Sequence, residues 1–146
     1  MPNDTPPDAA KASDCAPAGG QPLAGNGGAD VLRSLLELWQ AAFDNHDADA
    51  LAALFAPDIL FQGLAPRLLS GREAVRDYYR QVPPGARVDI QRIEAIALTP
   101  DIASGHAMVV FIEAGGPRRP ACISVTAQKI HGQWQFKSYH ASPLAE

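Results

Sequence analysis

The segment CISVTAQKIHGQWQFKSYHASP, residues 122–143, decides the fold because it holds two strand-like runs joined by a tight turn. The first run ends at Ile130, and the His131-Gly132 pair after it is typical of a hairpin turn. Alternate residues of the second run share one face of a strand, so the pattern places these side chains together: Trp134, Phe136, Ser138, His140 and Ser142. The segment therefore predicts two antiparallel strands.

The strand pattern extends back from this hairpin to Pro84. One strand reaches Leu98 before the Thr99-Pro100 turn, and a second runs from Asp101 to Ile112 before the turn at 115–117. Simple alternation along the first of these strands puts Ile93 on one face and these residues on the other: Val88, Ile90, Arg92, Glu94, Ile96 and Leu98. The second half of the chain therefore predicts a meander of four long strands.

Three helices are predicted before these strands. The first starts at the capping residue Asp30, and its apolar stripe is Val31, Leu32, Leu35, Leu38, Trp39, Ala42 and Phe43. The second is short, capped by Asp49, and stops before Pro57; a strand at 59–61 follows it. The third follows Gly71 and ends at 83–85, with Ala74, Val75, Tyr78, Tyr79 and Val82 inward. The prediction is an α+β fold in the order α-α-β-α-β-β-β-β, with a curved antiparallel sheet around the helices.

Composition limits the number of domains and the kinds of partner. The chain has 146 residues, 47% of them apolar, which favours one domain at residues 29–146. Residues 1–28 contain five of the 13 prolines and five of the 12 glycines, which predicts a disordered tail. A net charge of −4 without a basic stripe argues against nucleic acid, and no run approaches the roughly 20 apolar residues of a membrane span. We expect a cytoplasmic protein.

Neither the cysteines nor the histidines form a recognisable site in the sequence. Cys15 and Cys122 belong to no CxxC motif or disulfide framework, so we expect reduced thiols. No pair of His, Asp, Glu or Cys has a metal-ligand spacing, and no glycine-rich phosphate loop follows a strand. The sequence predicts no metal and no cofactor.

Three segments carry a resemblance to a known family. Residues 43–58, FDNHDADALAALFAPD, and Gly71-Arg72-Glu73-Ala74 with the Tyr78-Tyr79 pair resemble the helices of the nuclear transport factor 2-like superfamily, which has a cystatin-like fold. The ending 134–143, WQFKSYHASP, is similar to the last strand of its SnoaL-like and SgcJ/EcaC-like branches. The resemblance covers about residues 30–143 and implies a cone with an apolar pocket. It implies no single activity, because isomerases, cyclases, dehydratases, transport adaptors and assembly domains share this cone.

The resemblance also allows a comparison with the ketosteroid isomerases of this fold, which use an aspartate base and a tyrosine hydrogen-bond donor. In an ungapped register Gly63 stands at the position of the base and Trp39 at that of the tyrosine. Glycine cannot accept a proton, and an indole N–H lacks the acidity of a phenol. The resemblance therefore argues against ketosteroid-type isomerisation.

His140 is the leading candidate for chemistry in the predicted pocket. An imidazole with an ordinary pKa near ~6.5 can act as a general acid or base in an apolar cavity. The alternative is a hydrogen bond to a neighbouring strand or a place in a dimer interface. His106 and Ser142 are further polar candidates, although the alternation around His106 is also compatible with an outward side chain.

The remaining pocket candidates are aromatic or basic. An aromatic lining is predicted from Trp39, Phe43, Phe61, Tyr78 and Trp134, each of which could instead be ordinary core. Arg92 either receives an acidic ligand or forms a surface ion pair with Glu94. The ligand predicted from these residues is a small apolar or acidic molecule.

Three functions remain open on the sequence. The first is a ligand-binding cone that works as a homodimer through its sheets. The second is an enzyme of the SnoaL-like or SgcJ/EcaC-like type that acts on a small hydrophobic substrate with His140. The third is an oligomerisation module, as the resemblance to the association domain of calmodulin-dependent kinase implies.

Overall fold

The computed structural model of the protein describes residues 24–145, and it confirms the α+β class and the predicted order of the main elements. A two-residue strand, β2, is additional. The elements are α1 (Ala24–Asp44), α2 (Ala48–Ala53), β1 (Phe55–Gln62), β2 (Leu69–Ser70), α3 (Arg72–Arg80), β3 (Arg87–Thr99), β4 (Ile102–Ile112), β5 (Arg118–Ile130) and β6 (Gln133–Pro143).

The six strands form one curved, unclosed sheet in the order β2-β1-β6-β5-β4-β3. The four long strands β3 to β6 are an antiparallel meander, as predicted. Strand β1, in contrast, runs parallel to β6, with Phe61 opposite Tyr139. The two strands are far apart in sequence and share no hairpin, so no local turn sets their relative direction.

The helices cover one face of the sheet and bury the core against it. The largest side chains with no solvent exposure are Trp39, Phe55, Phe61, Phe136, Leu32 and Leu36. Leu38, predicted on the buried stripe of α1, is 57% exposed, and Leu36 takes its place. At 3.6 residues per turn, Leu36 and Trp39 lie four and seven residues after Leu32 and share its face, whereas Leu38 lies six residues after it and points away.

The start of α1 differs from the prediction. The helix begins at Ala24, so residues 24–28 of the predicted tail are helical and Asp30 lies inside the helix. Residues 1–23 of that tail lie outside the described residues. Gly28 faces the sheet, where a Cβ would be in ordinary contact with the Cβ of Ala97 at 3.4 Å. At α2 the cap is Asp47, which accepts a hydrogen bond from the Ala50 N–H at 3.0 Å, rather than Asp49.

Two β-bulges reverse the predicted faces of β3 and β6. The pairing shifts between Ile90 and Arg92, which leaves Gln91 as an extra residue, and between Phe136 and Ser138, which leaves Lys137. An extra residue moves every later side chain to the opposite face of the sheet. The face predicted by simple alternation is therefore wrong beyond each bulge.

Within the described residues, no helix is both long enough and apolar enough to span a membrane.

Candidate functional site

A cavity of about 240 Å³ lies between the sheet and the helices at the end of α3. Its wall combines the end of α1, the loop after β1, α3, and residues of β3, β4 and β6. The apolar and aromatic lining consists of Phe43, Leu64, Tyr78, Tyr79, Val82, Pro83, Ala86, Phe111, Ile112 and Tyr139, and the charged lining consists of Arg87, Glu113 and Arg119. This composition, mostly apolar with few polar groups, is typical of a small-molecule site.

The inner wall of the cavity contains two buried tyrosines. The Trp39 indole Nε1–H donates a hydrogen bond of 3.0 Å to the Tyr79 hydroxyl oxygen. Burial raises the pKa of Tyr79 and of Tyr139 far above the ordinary value of 10.0. The Tyr139 ring stacks on Phe61, with ring centroids 4.5 Å apart. Both phenols are therefore neutral at physiological pH and can offer hydrogen bonds but no negative charge.

Tyr78 occupies the space that a side chain at residue 63 would need. A Cβ on Gly63 would lie 2.6 Å from Cζ of Tyr78, which is closer than real contacts. The Tyr78 hydroxyl hydrogen-bonds the backbone of Leu64, while burial raises the pKa of Tyr78. The position at which the resemblance places a catalytic base is thus filled by a neutral phenol.

Three charged groups stand at the mouth of the cavity, where it meets solvent: Arg87, Glu113 and Arg119. Nη2 of Arg119 lies 2.7 Å from Oε2 of Glu113, and Nη1 of Arg87 lies 3.7 Å from Oδ1 of Asp89. All four side chains are between 41% and 56% exposed. Water therefore screens these pairs, and their arginines are accessible to a ligand at the mouth.

Of the predicted aromatic lining, the structure places Phe43 and Tyr78 in the wall of the cavity. Trp39 and Phe61 are fully buried in the core behind that wall, so their assignment to the lining is wrong. Trp134 is half-buried beside Gly28 on α1 and does not line this cavity. Trp39, Phe61 and Trp134 therefore belong to the ordinary packing of the core, which was the alternative to a place in the cavity wall.

The predicted polar site residues lie on the opposite side of the sheet, which we call the outer face. His140, His106, Ser142 and Arg92 are all exposed there, because the two bulges reverse the strands that carry His140 and Arg92. Their placement in the pocket is therefore wrong.

The outer-face residues instead contact one another. His106 Nδ1 is 3.1 Å from Ser124 Oγ, and Ser124 also pairs in register with His140 on the next strand. Arg92 donates from Nε to Glu94 at 2.8 Å, which is the surface ion pair considered as its alternative.

The sequence analysis missed several residues of the wall and mouth: Tyr79, Phe111, Tyr139, Arg87 and Arg119. Alternation without the bulge placed Tyr139 on the wrong face. Among the described residues missed, only Tyr79 could have been found from the sequence, because it follows the candidate Tyr78 directly. Two adjacent residues near the end of a helix can both line a wall that curves around that end.

Among residues 24–145, no three His, Cys, Asp or Glu side chains lie close enough together to hold a metal ion.

Known structures share this fold. A protein from Xanthomonas campestris, which has been proposed to be a calcium/calmodulin-dependent protein kinase II association domain, is 21% identical. Its TM-score is 0.74 over 82% of this chain and 90% of that one. A cystatin-like protein from Caulobacter vibrioides is 18% identical, with a TM-score of 0.73 over 81% and 90%. A proposed scytalone dehydratase from Novosphingobium aromaticivorans is 18% identical, with a TM-score of 0.72 over 80% and 84%. Identities this low show a common fold and nothing finer.

No curated protein matches the sequence. The family model of the SnoaL-like domain, in contrast, matches residues 36–136, which include α2, α3 and strands β1 to β5 with the bulk of the core. The matched region is well over half of the chain and contains most of the cavity wall. The chain therefore belongs to the SnoaL-like domain family.

Proposed function

We propose that the protein binds a small, largely apolar molecule in the cavity beside α3. The observation that carries this proposal is the wall itself, in which aromatic and aliphatic side chains line a cavity of about 240 Å³ that opens to solvent on one side. A concave, mostly apolar wall with a few polar groups is typical of a small-molecule site. A ring system with one or two fused rings suits a cavity of this size.

Binding is better supported than acid–base catalysis. Among the described residues, no histidine lines the cavity, and the one carboxylate there, Glu113, is held by Arg119 at the mouth. The Tyr79 and Tyr139 hydroxyls hydrogen-bond each other, and the Tyr78 hydroxyl hydrogen-bonds the backbone of Leu64. These neutral phenols make the wall slightly polar but supply no base. The enzyme alternative would need a base from another source, because His140 lies across the sheet.

The test of binding uses 6-propionyl-2-(dimethylamino)naphthalene, an uncharged fluorophore with two fused rings. We expect its emission to rise on binding and to be excited through Trp39, whose ring lies 5.9 Å from that of Phe43 in the wall. Ala86→Phe fills the cavity and should abolish both signals, whereas Ala41→Phe, on the exposed side of α1, should leave them unchanged.

Circular dichroism establishes whether Ala86→Phe folds, since overpacking costs about 1–3 kcal/mol. Val82→Phe narrows the same cavity from a half-buried position and serves as a second variant. Equal binding of the dye by wild type and by both folded, filled variants would contradict the proposal.

We further propose that the protein is a homodimer that pairs through the outer face. The centre of this face carries small uncharged side chains in register, Ser104, Thr126 and Ser138, with exposed Leu60 and Ile96 at the two ends of the row. Five strands of about eleven residues present roughly 700 Å², close to the area of about 800 Å² that each partner buries in a stable complex.

The dimer proposal is tested by sedimentation of the whole chain. Wild type should have the mass of two chains, and Thr126→Arg should shift it to one chain, because an unpaired charge at the centre of an interface is costly. Ala41→Arg adds the same charge on α1 and should have no effect. A wild-type mass of one chain would contradict the proposal, and a mass of many chains would favour the oligomerisation module.

A further inference from the structure

Two arginines line the mouth of the cavity, and two more lie near it. Arg87 and Arg119 line it directly. Arg118 lines the adjoining depression, which shares Leu64 and Arg119 with the cavity, and the charge of Arg67 is near enough to act on the Tyr78 hydroxyl. These four residues are one third of the 12 lysines and arginines in a chain whose net charge is −4.

The acidic side chains that pair with these arginines balance only part of this charge. Glu113 pairs with Arg119 and Asp89 pairs with Arg87. Within the described part of the chain, neither Arg67 nor Arg118 forms an ion pair. Among the described residues, these four arginines and two carboxylates give a surplus of two positive charges, although the protein as a whole is negative. A positive field confined to a cleft raises the local concentration of anions.

The interior of the cavity has the opposite preference. Its wall is aromatic and aliphatic, and an unpaired carboxylate moved into it would lose its hydration without gaining a partner. An anionic group can therefore bind only at the mouth, while an apolar ring can fill the space among Phe43, Phe111 and Tyr139. The two regions together favour a molecule that has an apolar ring at one end and an anionic group at the other.

We infer that the ligand is an aromatic carboxylate, with its ring in the cavity and its carboxylate against Arg87 and Arg119. Guanidinium groups suit this head group because their planar N–H donors match both carboxylate oxygens. Glu113 then competes for Arg119 in the empty protein and is displaced when the ligand binds. This inference rests on the proposed binding function and adds the chemical class of the ligand.

The test compares 2-naphthoate with 2-naphthamide, which have the same ring and differ mainly in charge. Wild type should bind the carboxylate roughly tenfold more tightly, which corresponds to about 1.4 kcal/mol. Added salt should weaken the binding of 2-naphthoate and leave that of 2-naphthamide unchanged. Arg87→Gln combined with Arg119→Gln should bring the two dissociation constants together, whereas Arg80→Gln, which removes an α3 arginine paired with Asp49 and Asp77, should preserve the difference.

Glu113→Gln supplies an independent readout. Removing the competing carboxylate frees Arg119, so we expect 2-naphthoate to bind several-fold more tightly and 2-naphthamide to bind as before. All of these side chains are about half exposed, and their replacement should not affect folding.

The possible outcomes distinguish a failure of the carboxylate inference from a failure of the proposed binding function. Equal affinity of wild type for the two compounds, or a preference that survives the double arginine variant, would overturn the carboxylate inference while binding in the cavity stands. If neither naphthalene compound nor the neutral dye bound, the binding function would fall and this inference with it.

Discussion

Replacing Trp39 with alanine should lower the free energy of unfolding by about 3–5 kcal/mol, because it empties the largest fully buried side-chain position of the core. The Trp39 ring packs against Phe43, Phe111 and Tyr139 at centroid distances of 5.9 to 6.1 Å. The substitution also removes the N–H that donates to the Tyr79 hydroxyl. A domain of this size has about 5–15 kcal/mol of stability in total, so the variant should be close to unfolding.

Urea denaturation followed by circular dichroism measures this loss without relying on Trp39 fluorescence. Leu38→Ala is the matched control, since it shortens an exposed residue of the same helix and should cost about 0.5 kcal/mol or less. A similar loss for both variants would mean that the buried face of α1 is not the one described.

Raising the pH above 10 should unfold the protein, because its three tyrosines all resist ionisation in the folded state. Burial raises the pKa of Tyr78, Tyr79 and Tyr139 above the ordinary value of 10.0. The unfolded chain releases these protons near pH 10, whereas the folded chain retains them. The stability that these groups contribute is therefore complete below pH 10 and declines as the pH rises toward the folded-state values.

Each phenol that stays protonated only in the folded state lowers the stability by about 1.4 kcal/mol per pH unit. Two such groups, Tyr79 and Tyr139, give about 2.7 kcal/mol per pH unit, and Tyr78 adds to this. Phenolate absorbance and circular dichroism, recorded along one alkaline titration, should therefore change together.

The control for this titration is the same protein in concentrated urea, where all three phenols should ionise near pH 10. Tyr139→Phe should reduce the slope of stability against pH by about 1.4 kcal/mol per pH unit. Phenolate absorbance that appeared near pH 10 while circular dichroism stayed native would contradict the burial of these hydroxyls.

The histidines of strands β4 and β6 belong to a row of polar residues on the outer face. Ser124 lies in register with His106 on one side and His140 on the other, so polar residues from three neighbouring strands form a row. That row lies on the open side of the sheet, away from the cavity. In the proposed dimer this row becomes part of the interface between the two chains.

The sequence by itself determined the family, the order of helices and strands and the antiparallel meander, because these depend on local periodicity and turn residues. The Gly115-Gly116-Pro117 and His131-Gly132 turns are properties of a few neighbouring residues. The tertiary structure alone decided which residues form the cavity. One extra residue at Gln91 and another at Lys137 reverse the faces of β3 and β6, and such bulges arise from the fit between strands. For that reason Tyr139 faces the cavity and His140 faces away from it.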